Sequence, residues 1–219
     1  MASSKGLNLE LVAGLVSTGA FFFAIQTIAV VLARYSRDLG IDVMSVSLIW
    51  SAVSLVSLIL RPFGGQLADR TSGFLAMALG SSFMISASLV YAFSGDFLDL
   101  LLGRILQGVG NAFFLSPSMV AVAAAAEGYV SVALGLRSAV ISISGVIAPL
   151  VAGFTADSFG YPSVFFVSVL VSIFSFLSIS PMLVSRKASL ELERRDSRGW
   201  RELLRNPTVV VIMMTCLLY

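Results

Sequence analysis

Histidine is absent from the 219 residues, and cysteine occurs once, as Cys216. The side chain that most often handles protons or metals near neutral pH is therefore missing. A lone cysteine closes no intramolecular disulfide and reports nothing about redox compartment. Charge is scarce as well. Only 12% of residues are Asp, Glu, Lys or Arg, against about a quarter in an ordinary soluble domain. No glycine-rich phosphate loop, metal-ligand cluster or catalytic dyad can be assembled from the residues present. The sequence thus argues against an enzyme, an ATP-driven pump, or a bound cofactor or metal. A net charge of +2, set mostly in short connections, argues against a nucleic-acid partner.

What the chain has instead is apolar length. It is 58% hydrophobic, with a mean hydropathy of +0.97. Residues 11–33, 43–60, 71–95, 105–126, 138–156 and 158–185 contain no charged side chain. A hydrocarbon core about 30 Å thick takes roughly 20 apolar residues as a helix. Only helices or closed barrels satisfy the backbone in lipid, and these runs are too long and too continuously apolar for alternating barrel strands. The expectation is an all-α polytopic membrane protein with six helices near 10–33, 43–68, 73–95, 98–126, 133–156 and 161–185. The first is too long for a cleaved signal peptide. Three segments follow: a six-helix bundle over 1–185, a linker over 186–206, and the start of a seventh helix over 207–219. The fourteen uncharged residues 206–219 are too few to cross, so the chain reads as truncated inside that helix, its C-terminal half missing.

Basic residues set the orientation. With a cytoplasmic N-terminus, the inner ends and loops hold eleven: Lys5, Arg61, Arg70, Arg137, Arg186, Lys187, Arg194, Arg195, Arg198, Arg201 and Arg205. Arg34 and Arg37 fall outside, and Arg104 lies within a helix. The excess of basic residues on one side follows the positive-inside rule. It places the chain in the cytoplasmic membrane, N-terminus inside, with the lipid bilayer as its first partner. The segment 185–207 then serves as a solvated cytoplasmic connector.

The chain also repeats itself. Gly65-Gln-Leu-Ala68-Asp69, at the end of helix two, recurs 88 residues later as Gly153-Phe-Thr-Ala156-Asp157, at the end of helix five. Pro62 and Pro149 stand just upstream of the two copies. Helices 1–3 and 4–6 become related triplets. Because three crossings is an odd number, the second triplet must be inverted, as in six-helix halves of secondary transporters.

Two stretches carry a family resemblance. Residues 61–73, RPFGGQLADRTSG, resemble the loop between helices two and three of the major facilitator superfamily, with the pattern G-x-L-A-D-R-x-G and then basic residues. Gly65, Leu67, Ala68, Asp69 and Arg70 match, while Ser72 stands where the family has glycine and Gly73-Phe74 where it has basic residues. The resemblance implies a cytoplasmic gate made by Gly65, Asp69 and Arg70. Gly65 would allow close helix approach, and Asp69 would make a contact that differs between two states. GRILQGVGNA, residues 103–112, is similar to the family's helix-four pattern R-x-x-Q-G-x-G. Arg104, Gln107, Gly108 and Asn111 share one helix face. An arginine inside a span costs at least about 2.5 kcal/mol, so by default it faces a cavity or a partner.

Helix five, SAVISISGVIAPLVAG at 138–153, resembles the antiporter pattern G-x-x-x-G-P-x-x-G-G. Ser144, Ala148 and Ala152 replace its glycines, and Gly153 is kept. Pro149 removes a helix hydrogen bond at Gly145, which predicts a bend. Ser138, Ser142, Gly145, Pro149 and Gly153 are expected to form a small-residue packing stripe.

The resemblance implies a secondary transporter that moves a small-molecule solute by alternating access, with proton-coupled efflux as the finer form. Its path would run between the two halves, lined on this side by helices one and four. Arg104, Gln107, Asn111 and Phe114 are then the candidates on helix four, and Thr18, Phe22 and Gln26 on helix one. Asp96, Asp99, Glu127 and Asp157 sit at helix ends and Glu10 opens helix one, so no carboxylate lies mid-bilayer to carry protons. Two further expectations remain: a non-transporting sensor or assembly protein on the same scaffold, and an inactive fragment.

Overall fold

Polar side chains at the turns start the helices. Asp42 accepts hydrogen bonds from the backbone of Met44 and Ser45, Ser72 from that of Leu75, and Asp96 from that of Asp99. Such caps satisfy donors that a helix N-terminus leaves free. Hydrogen bonds from the Ser45 side chain and backbone hold the Asp42 carboxyl below the usual carboxylate value. In the computed structural model, which describes residues 9–126 and 128–185, these caps open three of six helices. The helices are α1 (Leu9–Asp38), α2 (Val43–Arg70), α3 (Gly73–Ala92), α4 (Phe97–Ala125), α5 (Val130–Phe159) and α6 (Tyr161–Ser185). All six are long and apolar enough to cross a membrane. The expected linker and start of a seventh helix lie outside the described residues.

Helices α1 and α5 outrun their expected bounds because charge does not end a helix. Arg34, Arg37 and Asp38 continue α1, which stops only at Gly40, whose φ is +74°. Gly128, at the turn between α4 and α5, has φ +98°. Only glycine adopts this left-handed backbone without penalty. The two glycines stand 88 residues apart, the same separation as the Gly-x-x-Ala-Asp copies.

Packing repeats the sequence relation. α1 lies along α5 and α6, α4 lies along α2 and α3, and α3 meets α6. Exchanging α1 with α4, α2 with α5 and α3 with α6 maps these pairs onto themselves. The fold is a bundle of two inverted three-helix repeats. α1, α3, α4 and α6 form its centre, while α2 and α5 flank it with only 11% and 17% of their apolar windows buried.

Two kinds of contact hold the centre. Phe21 of α1 and Phe114 of α4 stack face to face at 3.8 Å, both fully buried. Serines join α1, α3 and α6. Ser175 hydroxyl meets those of Ser17 and Ser81 at 2.9 and 3.2 Å, and Ser168 meets Ser88 at 2.9 Å. Without a hydrophobic drive between helices in lipid, close packing and such bonds supply the association.

Close approach of α2 to α4 falls on Gly64, not Gly65. A Cβ at Gly64 would overlap the carbonyl oxygen of Ala112, whereas one at Gly65 would meet nothing within 4 Å. The expected role of Gly65 is corrected accordingly: it is one step around the helix from the contact. The small-residue stripe on α5 is displaced in the same way. Ala133, Arg137, Ser144, Ala148 and Ala152 are buried, while Ser138 and Ser142 are exposed and Gly145, Pro149 and Gly153 half-buried. Ser144, at a glycine position of the family pattern, can donate to the Gly19 carbonyl across α1 at 2.9 Å. α5 runs without interruption through Pro149.

Candidate functional site

α4 carries the most unusual side chain of the bundle. Arg104 lies two turns into α4 and is 3% exposed. Its Nη1 donates to Oε1 of Gln107 at 3.2 Å, one turn further along α4. The same oxygen accepts from the hydroxyl of Tyr91 on α3 at 3.0 Å. Gly103 makes room for that tyrosine, because a Cβ there would stand 2.5 Å from its ring. The guanidinium carbon lies 4.3 Å from the centre of the Trp50 ring on α2. Three helices therefore converge on one cation. Its Nε and Nη2 are buried without a hydrogen-bond partner, and no carboxylate among the described residues pairs with it.

Asn111, two turns beyond Arg104, faces a different space. With Val53, Ser54, Ser57, Leu58 and Arg61 of α2 it lines a cleft of about 270 Å³. Asn111 Oδ1 and Ser57 Oγ are both buried there without a partner. Leaving such a group unsatisfied costs about 1–3 kcal/mol, so each is open to a ligand's polar group.

The helix-one candidates lie elsewhere. Phe22 lies half-buried near Arg137 of α5, 6.0 Å from the guanidinium to the ring centre. Gln26 reaches toward Gly145, where an added Cβ would be 3.5 Å from its Nε2. Thr18 is buried and donates to its own helix, to the carbonyl of Gly14 at 2.7 Å. Phe114 is locked in the stack with Phe21 and lines no open path. The seven expected substrate residues thus divide three ways: Arg104, Gln107 and Asn111 toward α2 and α3, Phe22 and Gln26 toward α5, and Thr18 and Phe114 in the core.

Asp69 and Arg70 are exposed in the last turn of α2. Neither forms an ion pair among the described residues, and the α3 N-terminus beside them is capped by Ser72.

Several site residues escaped the sequence reading. Trp50, Ser54, Ser57 and Arg61 share one face of α2 at spacings of four, three and four, a signal available beforehand. Tyr91 gave none, since nothing local tells a buried tyrosine from one at the interface. Arg61 and Arg137, counted with the inner ends and loops, lie about two turns inside α2 and α5. Arg137 is buried against α4, donating to Ser118 Oγ at 2.8 Å and the Leu115 carbonyl at 3.2 Å. It binds α5 to α4 beside Pro117, where the α4 ladder lacks a donor.

The described residues contain no cluster of metal-ligating side chains. Among the described residues, the spanning bundle holds a buried, incompletely paired cation at Arg104 and a polar cleft between α2 and α4. Compared with known proteins, a family model described as Major Facilitator Superfamily matches residues 14–219. No curated protein matches the chain.

Proposed function

The chain belongs to the major facilitator superfamily of membrane transporters, and from that premise we propose that it carries a small solute across the cytoplasmic membrane by alternating access. Arg104 is the observation that carries the proposal. A cation buried to 3% exposure with two nitrogens unpaired carries a desolvation cost that its present contacts only partly offset, and is weak evidence of a stabilising role. It makes sense as a group that takes a partner for part of a cycle.

Gln107 and Tyr91 hold the guanidinium in place while Trp50 covers one face. An anionic group or a carboxylate brought near it is stabilised by the uncompensated charge. Proton-coupled efflux is the finer form: the antiporter-like pattern on α5 supports it, and Arg104 is the group on this chain that would favour deprotonation of an approaching acid. With the N-terminus inside, Asp69 and Arg70 stand at the cytoplasmic mouth. Being exposed and unpaired, they are free to engage a second six-helix half as a gate.

The test is flux. Purified protein is placed in liposomes and tested against labelled sugars, organic acids and lipophilic cations. The proposal expects flux of at least one solute, falling tenfold or more in Arg104→Gln while the thermal unfolding midpoint is kept. Absence of flux across the panel, or an Arg104→Gln rate equal to wild type, would overturn it. Absence of flux would favour a sensor on the same scaffold.

A further inference from the structure

The α2–α4 cleft is a site in its own right. Asn111 is the central residue of the 29-residue α4, and Ser57 lies at the centre of the 28-residue α2. Two buried polar atoms without partners, Asn111 Oδ1 and Ser57 Oγ, therefore meet the cleft at mid-bilayer depth. Ser57 is 3% exposed and Asn111 9%. Among the described residues, Arg61, one turn from Ser57 on the same face of α2, is the only charged side chain lining the cleft, and no carboxylate lines it, so these residues make the field inside positive.

These groups specify a ligand. Arg61 presents a fork of donors that matches a carboxylate or phosphate. Asn111 Oδ1 is an acceptor and requires a hydrogen from the ligand. The Ser57 hydroxyl can serve either need. A volume of about 270 Å³ sits just below the usual range for ligand pockets, roughly 300–1,000 Å³, which suits a compact molecule. A lipid headgroup fits poorly. At about 1.5 Å per residue, Asn111 is about 21 Å from either end of α4, and a headgroup would have to sink roughly half the bilayer core.

We propose that the α2–α4 cleft binds a small organic anion with a hydrogen-bond donor beside its charge, the chemistry of a 2-hydroxycarboxylate. Treating this ligand as cargo rests on the transport reading; binding at the cleft does not.

Binding is tested on the purified full chain by thermal unfolding at rising concentrations of three probes. Lactate has both charge and donor, propionate has charge alone, and 1,2-propanediol has hydroxyls alone. A ligand that binds only the folded state raises the midpoint with its concentration over Kd. Lactate is expected to act at concentrations at least tenfold lower than the other two. Asn111→Leu should erase its advantage over propionate, and Arg61→Gln its advantage over propanediol. Arg61→Lys should keep part of the response, and serves if Arg61→Gln fails to fold. Arg37→Gln, at an exposed arginine in the last turn of α1 away from the cleft, should change the lactate response less than threefold.

Equal responses to all three probes would overturn the proposal. So would a lactate response lost in Arg104→Gln but kept in Arg61→Gln, or stabilisation by phosphatidylglycerol alone. A lactate response that needs Arg61, in a protein without flux, would keep the site and remove the transport reading.

Discussion

Gln107 Oε1 serves two donors, and removing it strands both. The Tyr91 hydroxyl at 3.0 Å and Arg104 Nη1 at 3.2 Å share this acceptor, and Tyr91 and Gln107 are 0% and 1% exposed. Gln107→Leu keeps the approximate volume but leaves a hydroxyl and a charged group buried without their acceptor. At about 1–3 kcal/mol for each stranded group, the loss is about 2–6 kcal/mol. Tyr91→Phe removes one donor, and Oε1 still has Arg104, so its cost is about 0.5–1.5 kcal/mol. The double variant strands only Arg104. Its cost, about 1–3 kcal/mol, should fall short of the sum of the singles by about 1.5–4.5 kcal/mol: the penalty of the stranded tyrosine hydroxyl, plus the hydrogen bond that Tyr91→Phe loses only while Gln107 is present. Unfolding of the four proteins in mixed detergent closes the cycle. Additivity within about 0.5 kcal/mol would refute the shared acceptor. So would a Tyr91→Phe loss as large as that of Gln107→Leu.

Two further pairs of variants test the packing. Gly64→Ala should cost about 1–3 kcal/mol through overlap with the Ala112 carbonyl, while Gly65→Ala should be neutral or slightly stabilising; thermal unfolding with the order reversed would refute the placement of α2. Phe114→Ala should cost about 3–5 kcal/mol by opening the stack with Phe21. Phe22→Ala, at a half-buried position, should cost clearly less, and equal losses in the same assay would contradict the assignment of Phe114 to the core.

Much of the fold was legible because the membrane enforces it. Uncharged runs long enough to span can be little else, and the Gly-x-x-Ala-Asp repeat already gave the inverted triplets that Gly40, Gly128 and the helix pairing then extended. Helix faces were less legible. In lipid both the outward and inward faces of α5 are apolar or small, so choosing between the stripe on Gly145 and Pro149 and the one on Ser144 and Ala148 needed the partner helix. The same ambiguity exchanged Gly65 for Gly64. Arg104, Gln107 and Asn111 stood out because polar groups inside a span are costly. Their partners did not: Tyr91 is far in sequence, and Trp50, Ser57 and Arg61 acquire meaning only when α2 lies against α4. The burial of Thr18 and Phe114 was not legible either, because a shared helix face does not say whether it meets a cavity or another helix.

Alternating access to a mid-bilayer site is the central claim, and Ser57 reports on it directly. Ser57→Cys in a Cys216→Ser background places a single thiol in the α2–α4 cleft, and membrane-impermeant thiol reagents can then be applied to either face of sealed vesicles. The account predicts labelling from both faces, with a bound solute lowering both rates. Labelling from one face only, under every solute condition, or from neither, would contradict it.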